Sequence, residues 1–131
     1  MLGLKNKLAI VTGGASGIGR AIVMRLASAG ASVFSGDVDE KGNMETVDLA
    51  TDSTGEVKAA YLDIGDLNSI ENFRRTVFQY WETQKKVDIV VNAAGWDKIQ
   101  PFLASTPEFT DKVLNTNLKG PINVVRTFLP S

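Results

Sequence analysis

The chain contains neither cysteine nor histidine. Without cysteine there is no disulfide framework, no thiol nucleophile and no thiolate metal site. Without histidine there is no Ser-His-Asp triad, no HExxH zinc helix and no imidazole base. Acid/base chemistry in these 131 residues therefore falls to carboxylates, lysine, tyrosine or a bound cofactor. Long apolar runs are missing too, and none reaches the ~18 residues of a membrane-spanning helix. Lys5 and Lys7 precede only the short apolar stretch Leu8–Val11, which is too brief for a signal-peptide core. A cytoplasmic location is the expectation. The net charge is only −1, so there is no electrostatic reason to expect a nucleic acid or an anionic membrane as partner. Internal repeats and low-complexity tracts are absent as well. The length, with 44% hydrophobic and 22% charged residues, suits one globular domain spanning residues 1–131.

What is present is an alternation of short apolar runs and helical stretches. Leu8–Val11 does not alternate, as expected of a parallel strand buried on both faces. Ile18, Ile22, Leu26 and Ala29 then recur at helical spacing, and Gly30 is a stop signal. Ser32–Gly36 reads as a second strand ending at Asp37. Residues 39–53 form a weak, polar helix candidate with Gly42 near its start. Val57–Leu62 reads as a third strand, ending at Asp63. Residues 67–84 give the clearest amphipathic helix, with Ile70, Phe73, Val77, Phe78 and Trp81 on one stripe. Val87–Asn92 is the fourth strand, and a loop carrying Gly95, Trp96, Asp97 and Pro101 follows. The last helix is predicted over Glu108–Leu129, bent at Gly120-Pro121 because Pro121 lacks a donor. This alternation predicts an α/β fold: a doubly wound parallel sheet in order 3-2-1-4 with helices on both faces.

Between the first strand and the first helix stands Thr12-Gly13-Gly14-Ala15-Ser16-Gly17-Ile18-Gly19. A phosphate-binding turn needs glycine where the backbone turns tightly and where a pyrophosphate comes close to the main chain. It also needs glycine where the helix packs hard on the strand, since a Cβ would obstruct each contact. The anion then rests at the helix N-terminus, where unpaired N–H groups and the dipole favour negative charge. The alternative is a glycine-rich connection with no ligand. The spacing is TGxxxGxG rather than GxGxxG, and in this place it resembles the cofactor turn of the short-chain dehydrogenase/reductase family.

That resemblance implies a Rossmann-like fold and a set of cofactor-binding positions: Thr12, Gly13, Ser16, Gly17, Ile18 and Gly19 in the turn, with others further along. Asp37 falls where an acidic group accepts hydrogen bonds from the adenosine ribose and repels a 2′-phosphate. No Lys or Arg lies between Thr12 and Gly19, or near Asp37 before Lys41, so NAD(H) is preferred over NADP(H). Alone, Asp37 would read as a solvated strand-end residue. Asp63 and Ile64 fall where the family places an acidic residue against the adenine ring; Asp63 reads equally as a cap or turn before the next helix. Asn92-Ala93-Ala94-Gly95 resembles the family's NNAG segment, with Ala93 in place of the second asparagine. Asn117-Leu118-Lys119-Gly120 resembles the NLxG segment, whose asparagine holds a water in a proton relay with a Ser, a Tyr and a Lys. That makes Asn117 the candidate catalytic residue, against the reading of a polar helix residue satisfied by its neighbours.

The relay's other members have no counterpart. The family's tyrosine is followed four residues later by a lysine, which favours the phenolate. Here Tyr61 is followed at that spacing by Gly65, and Tyr80 by Gln84. The resemblance covers the N-terminal, cofactor-binding half of the family, so the chain is expected to be C-terminally truncated and inactive alone. The fourth strand would then expose an apolar edge, a template for association. The family's long helix is also a subunit contact, and a homo-oligomer is expected. The leading reading is an NAD(H)-dependent oxidoreductase of an alcohol/carbonyl pair, represented by its cofactor half. The second is a non-catalytic dinucleotide-binding or self-associating scaffold, and the third is a structural module with no ligand. For substrate, the loop from Gly95 to Phe102 is similar to family members that oxidise hydroxyacyl-CoA or cyclic alcohols.

Overall fold

Leu8–Thr12 forms strand β1, and every one of its residues is buried. In a strand, successive side chains face opposite sides. Ala9 and Val11 accordingly join one core, with Val23, Ala27, Ala31, Val33, Ala50 and Val57. Ile10 joins the other, with Phe34, Leu62, Ile64, Ile70, Phe73, Val77, Val124 and Phe128. A strand buried on both faces needs apolar residues at every position, which is why Leu8–Val11 does not alternate. The computed structural model describes residues 3–82 and 86–129.

Around β1 the chain builds a four-stranded parallel sheet in the order β3-β2-β1-β4. Strand β2 is Ser32–Asp37, β3 is Val57–Tyr61 and β4 is Ile89–Asn92. Ile10 lies opposite Phe34 on one side and Val90 on the other. Helix α1 (Gly17–Ser28) and helix α2 (Glu40–Leu49) supply residues to the core of Ala9 and Val11. Helix α3 (Leu67–Tyr80) and helix α5 (Gly120–Phe128) supply the core of Ile10. Helix α4 (Pro107–Leu114) precedes α5, and a short 3₁₀ turn, Phe102–Ala104, precedes α4. The doubly wound α/β arrangement expected from the sequence is the one observed.

Several elements differ from expectation in ways that have physical causes. The buried face of α1 is Gly19, Val23 and Ala27, one position on from the expected stripe; Ile18 is 78% exposed. Small residues let α1 lie close to the sheet, and the larger Ile22 and Leu26 flank the contact. The fully buried residues of α2 are Gly42, Asn43 and Thr46, so hydrogen bonds join the apolar contact that Val47 makes with the core. Asn43 Nδ2 donates to the Ser35 carbonyl at 3.0 Å, and Ser35 Oγ donates to Asn43 Oδ1 at 2.6 Å. This helix ends at Leu49, short of the expected 53.

Helix α3 shows the predicted stripe, with Ile70, Phe73 and Val77 buried. It ends at Tyr80, with Trp81 as its C-cap, short of the expected 84. Strand β4 begins at Ile89 rather than Val87. The last helical region runs without a break from Pro107 to Phe128, close to the expected span, and departs from α geometry in the turn just before Gly120-Pro121. It is α4 and α5 joined by a π-helical turn over Asn115–Lys119. Pro121 has no N–H for the Asn117 carbonyl four residues earlier, and the wider i→i+5 winding falls on that preceding turn. Among the described residues, no helix is long and apolar enough to cross a membrane.

Candidate functional site

Parallel strands all end on the same side, and where the order reverses between β1 and β4 the following loops diverge and leave a crevice. Here the crevice is a cavity of about 490 Å³. Its walls come from the glycine turn (Gly13, Ser16, Gly17, Ile18, Gly19), the end of β2 (Asp37, Val38) and the segment after β3 (Leu62, Asp63, Ile64). The loop after β4 (Ala93, Ala94, Gly95, Trp96) and the last helical region (Lys112, Thr116) complete them.

The three motif glycines meet different demands. Gly13 has φ +77°, and a Cβ there would sit 2.7 Å from the Ala94 backbone, so the turn and the β4 loop can touch only without a side chain. A Cβ on Gly19 would collide with the Gly13 carbonyl, which is the tight contact between helix and turn. Gly17 has φ +55°, and a Cβ there would meet nothing within 4 Å; it faces open space in the cavity wall. Ser16 is the N-cap residue of α1, yet its side chain makes no capping hydrogen bond. The first-turn N–H groups of a helix have no partner within the helix. Here they open onto a cavity, and the helix dipole adds partial positive charge at the same point.

Asp37 is held in place by two backbone donors. The Ala15 N–H donates to Oδ2 at 3.0 Å and the Asp39 N–H to Oδ1 at 3.0 Å. A carboxylate has about four acceptor directions, so both oxygens keep capacity toward the cavity that Asp37 lines. Asp63 combines the two arrangements open to it from sequence. Its Oδ1 accepts the Gly65 N–H at 2.9 Å, closing a turn, and the residue also lines the cavity. Ile64 belongs both to the core and to the cavity wall.

Three of the expected positions stand off the cavity surface. Thr12 is fully buried; its Oγ1 accepts the Ala94 N–H at 3.2 Å, pinning the β4 loop to β1. Asn92 ends β4 and is exposed, and it is not among the lining residues. Asn117 lies on the π-helical turn, with both ends of its amide engaged by one residue. The Trp96 N–H donates to Oδ1 at 2.7 Å, and Nδ2 donates to the Trp96 carbonyl at 2.7 Å. Its side chain thus fixes the backbone of the loop that walls the cavity.

Sequence reasoning does not single out Val38, Leu62, Lys112 or Thr116, and it names Trp96 only as part of the loop after the fourth strand. Lys112 and Thr116 are four residues apart in the last helical region, which is one helical turn. Nothing local marks them, because they reach the cavity only through the packing of that region over the strand ends. The Trp96 ring packs on Phe109 at 5.5 Å, and the Lys112 ammonium stands 3.8 Å from its centroid. Among the described residues that line the cavity, Lys112 is the one cation.

Residues 7–131 match the model of the family described as short chain dehydrogenase. The chain belongs to that family. It is 32% identical over 127 residues to a 3-oxoacyl-[acyl-carrier-protein] reductase of Thermotoga maritima, a match covering 97% of this chain and 50% of that protein. Among solved structures, a short-chain dehydrogenase/reductase from Burkholderia phymatum in complex with NAD superposes with a TM-score of 0.88 at 28% identity. That match covers 99% of this chain and 45% of the other. A metagenomic short-chain oxidoreductase in complex with NADP gives 0.88 at 29% identity, covering 97% and 57%. The chain spans about half the length of the curated relatives it matches. Short-chain dehydrogenases of this fold thus occur with either nicotinamide dinucleotide.

Proposed function

We propose that this short-chain dehydrogenase chain is a single dinucleotide-binding unit that takes NAD(H) in the cavity at the ends of β1–β4. It would serve as the cofactor-binding half of an oxidoreductase acting on an alcohol/carbonyl pair. The observation that carries the reading is the uncapped N-terminus of α1 opening onto the same cavity as the Asp37 carboxylate. In this reading the backbone of Gly13, Ser16, Gly17, Ile18 and Gly19 holds the pyrophosphate and Asp37 holds the adenosine ribose. Asp63 and Ile64 flank the adenine, and Ala93, Ala94 and Gly95 let the cofactor approach the β4 loop. Thr12 supports that loop from outside the cavity, and Asn92 ends the strand that leads into it. The bound cofactor would supply hydride transfer. Asn117 would contribute to the site by holding Trp96 in place.

The choice of NAD(H) over NADP(H) follows from charge. A 2′-phosphate at the ribose would meet the Asp37 carboxylate. Lys112, the one lining cation among the described residues, is engaged with the Trp96 ring. Calorimetric titration should give binding of NADH and clearly weaker binding of NADPH. No detectable NADH binding would remove the reading. These 131 residues hold no tyrosine followed four residues later by lysine, so NADH oxidation in the presence of ketones is expected to stay at background. Turnover by this chain alone would overturn that account.

A second reading, self-association through a homo-oligomer, has its own observation. Leu114, Leu118, Ile122, Val125 and Leu129 form an exposed apolar stripe along the last helical region. Among the described residues β4 pairs only with β1, leaving its other edge open. Both features favour contact with a second copy of this chain.

A further inference from the structure

We propose that Arg20 and helix α2 form a clamp that sets the direction of the phosphate-binding turn, with Arg20 as its positioning residue. The proposal rests on the dinucleotide reading above and concerns how the turn is held ready. A turn that binds an anion must present N–H groups to it and keep its carbonyls turned away. In a planar trans peptide the C=O and N–H point in opposite directions. Fixing a carbonyl on one side therefore fixes the following N–H on the other.

The Gly14–Ala15 peptide displays this rule in full. Thr46 Oγ1 donates to the Gly14 carbonyl at 2.7 Å from the α2 side, and on the opposite side the Ala15 N–H meets Asp37 Oδ2 at 3.0 Å. The next peptide obeys the same rule. Arg20 Nη2 donates to the Ala15 carbonyl, which turns the Ser16 N–H the other way, and Ser16 lines the cavity. The donor left for an anion is thus aimed by a guanidinium that lies outside the cavity wall.

The rest of the arrangement serves that contact. Arg20 Nε donates to Thr46 Oγ1 at 2.9 Å, and Nη2 also donates to the Gly42 carbonyl at 3.0 Å. Its carboxylate partner, Glu45, is 3.3 Å away with a side chain 56% exposed. An ion pair of that kind contributes little, so carbonyls and a hydroxyl define the position of the fork. Gly42 is an unfavourable residue inside a helix. A Cβ there would sit 3.0 Å from the Ala15 carbonyl and would also meet the Asp39 carboxylate, so glycine lets α2 reach the turn. Through Nε and Nη2, Arg20 thus ties the turn at Ala15 to Gly42 and Thr46 of α2.

The test compares wild type with Arg20→Lys, which keeps the charge and loses the fork, and with Thr46→Val, which keeps the shape and loses the hydroxyl. Each protein is titrated by calorimetry with NADH, ADP-ribose and adenosine. Both substitutions should weaken NADH and ADP-ribose by about tenfold, as expected for lost hydrogen bonds to a charged group. Adenosine, which has no phosphate, should keep its affinity to within about twofold. Methylguanidine added to Arg20→Ala should restore part of the NADH affinity. Unchanged NADH affinity in both variants overturns the clamp and leaves the dinucleotide reading standing. Equal losses for all three ligands indicate a merely structural role and overturn it as well. A wild-type chain that binds no NADH removes both.

Discussion

Asp37 holds two positions at once at the residue scale: it lines the cavity and it anchors the Ala15 N–H of the glycine turn. Asp37→Asn should therefore lower NADH affinity by about tenfold, since a hydrogen bond to a charged acceptor contributes about 1.5–3 kcal/mol. The same change should narrow the gap between NADH and NADPH by removing like-charge repulsion. Paired titrations check both effects, and an unchanged ratio would count against the role given to the carboxylate. Glu71 offers a residue-scale prediction away from the site. The Arg74 guanidinium, hydrogen-bonded to Glu71 at 2.6 Å, holds its carboxyl below the ordinary value, against a smaller opposing effect of desolvation. The folded-state value lies below the unfolded one, so the stabilisation is present above about 4.5 and is lost as pH falls through the lower folded value. Glu71→Gln should be less stable than wild type at neutral pH, and the difference in urea midpoint should close under strongly acidic conditions.

Helix α3 is the element whose sequence and packing agree most closely. Its Phe73 is 1% exposed and meets Phe34 and Phe128 edge-on at 5.8 and 6.3 Å. Phe73→Ala should destabilise the fold by about 3–5 kcal/mol, through lost transfer energy and the cavity left behind. Thermal or urea unfolding measures this directly. Helices α1 and α2 are less legible. Apolar spacing picks out Ile18, Ile22 and Leu26, but the sheet selects Gly19, Val23 and Ala27 because close approach favours small residues there. In α2 the buried positions include Asn43 and Thr46, which hydrophobic periodicity cannot register. The π-helical turn is foreshadowed only by Pro121, which marks a broken ladder without saying which turn absorbs it.

For the molecule as a whole, the β4 edge that is open among the described residues and the exposed apolar residues from Leu114 to Leu129 are the features behind the proposed association between copies. Sedimentation of the wild-type chain should show concentration-dependent oligomers, and Leu118→Glu with Ile122→Glu should shift them toward monomer. A clean wild-type monomer at high concentration would sink the idea. Ligand linkage gives an independent check on the cavity. NADH at about 100 times its Kd should stabilise the folded state by about 2.7 kcal/mol, seen as a rise in Tm. The same concentration of NADPH should raise it less.

The alternation of strands and helices and the glycine turn were determined by the sequence itself, because they depend on local signals: unbroken apolar runs, periodicity and glycine where a Cβ is excluded; the order 3-2-1-4 is what the doubly wound arrangement adds to that alternation. The resemblance of its motifs to the short-chain dehydrogenase/reductase family gathered Gly13, Ser16 to Gly19, Asp37, Asp63, Ile64 and Ala93 to Gly95, and the fold brings these to one cavity. Only the tertiary structure decided which residues stand behind that cavity and which complete it. Thr12 and Asn117 hold the β4 loop, Lys112 and Thr116 close the wall, and Arg20 grips the turn. Those roles depend on contacts between segments far apart in the chain, where a side chain's partner is set by the packing of whole elements and leaves no trace in its neighbours.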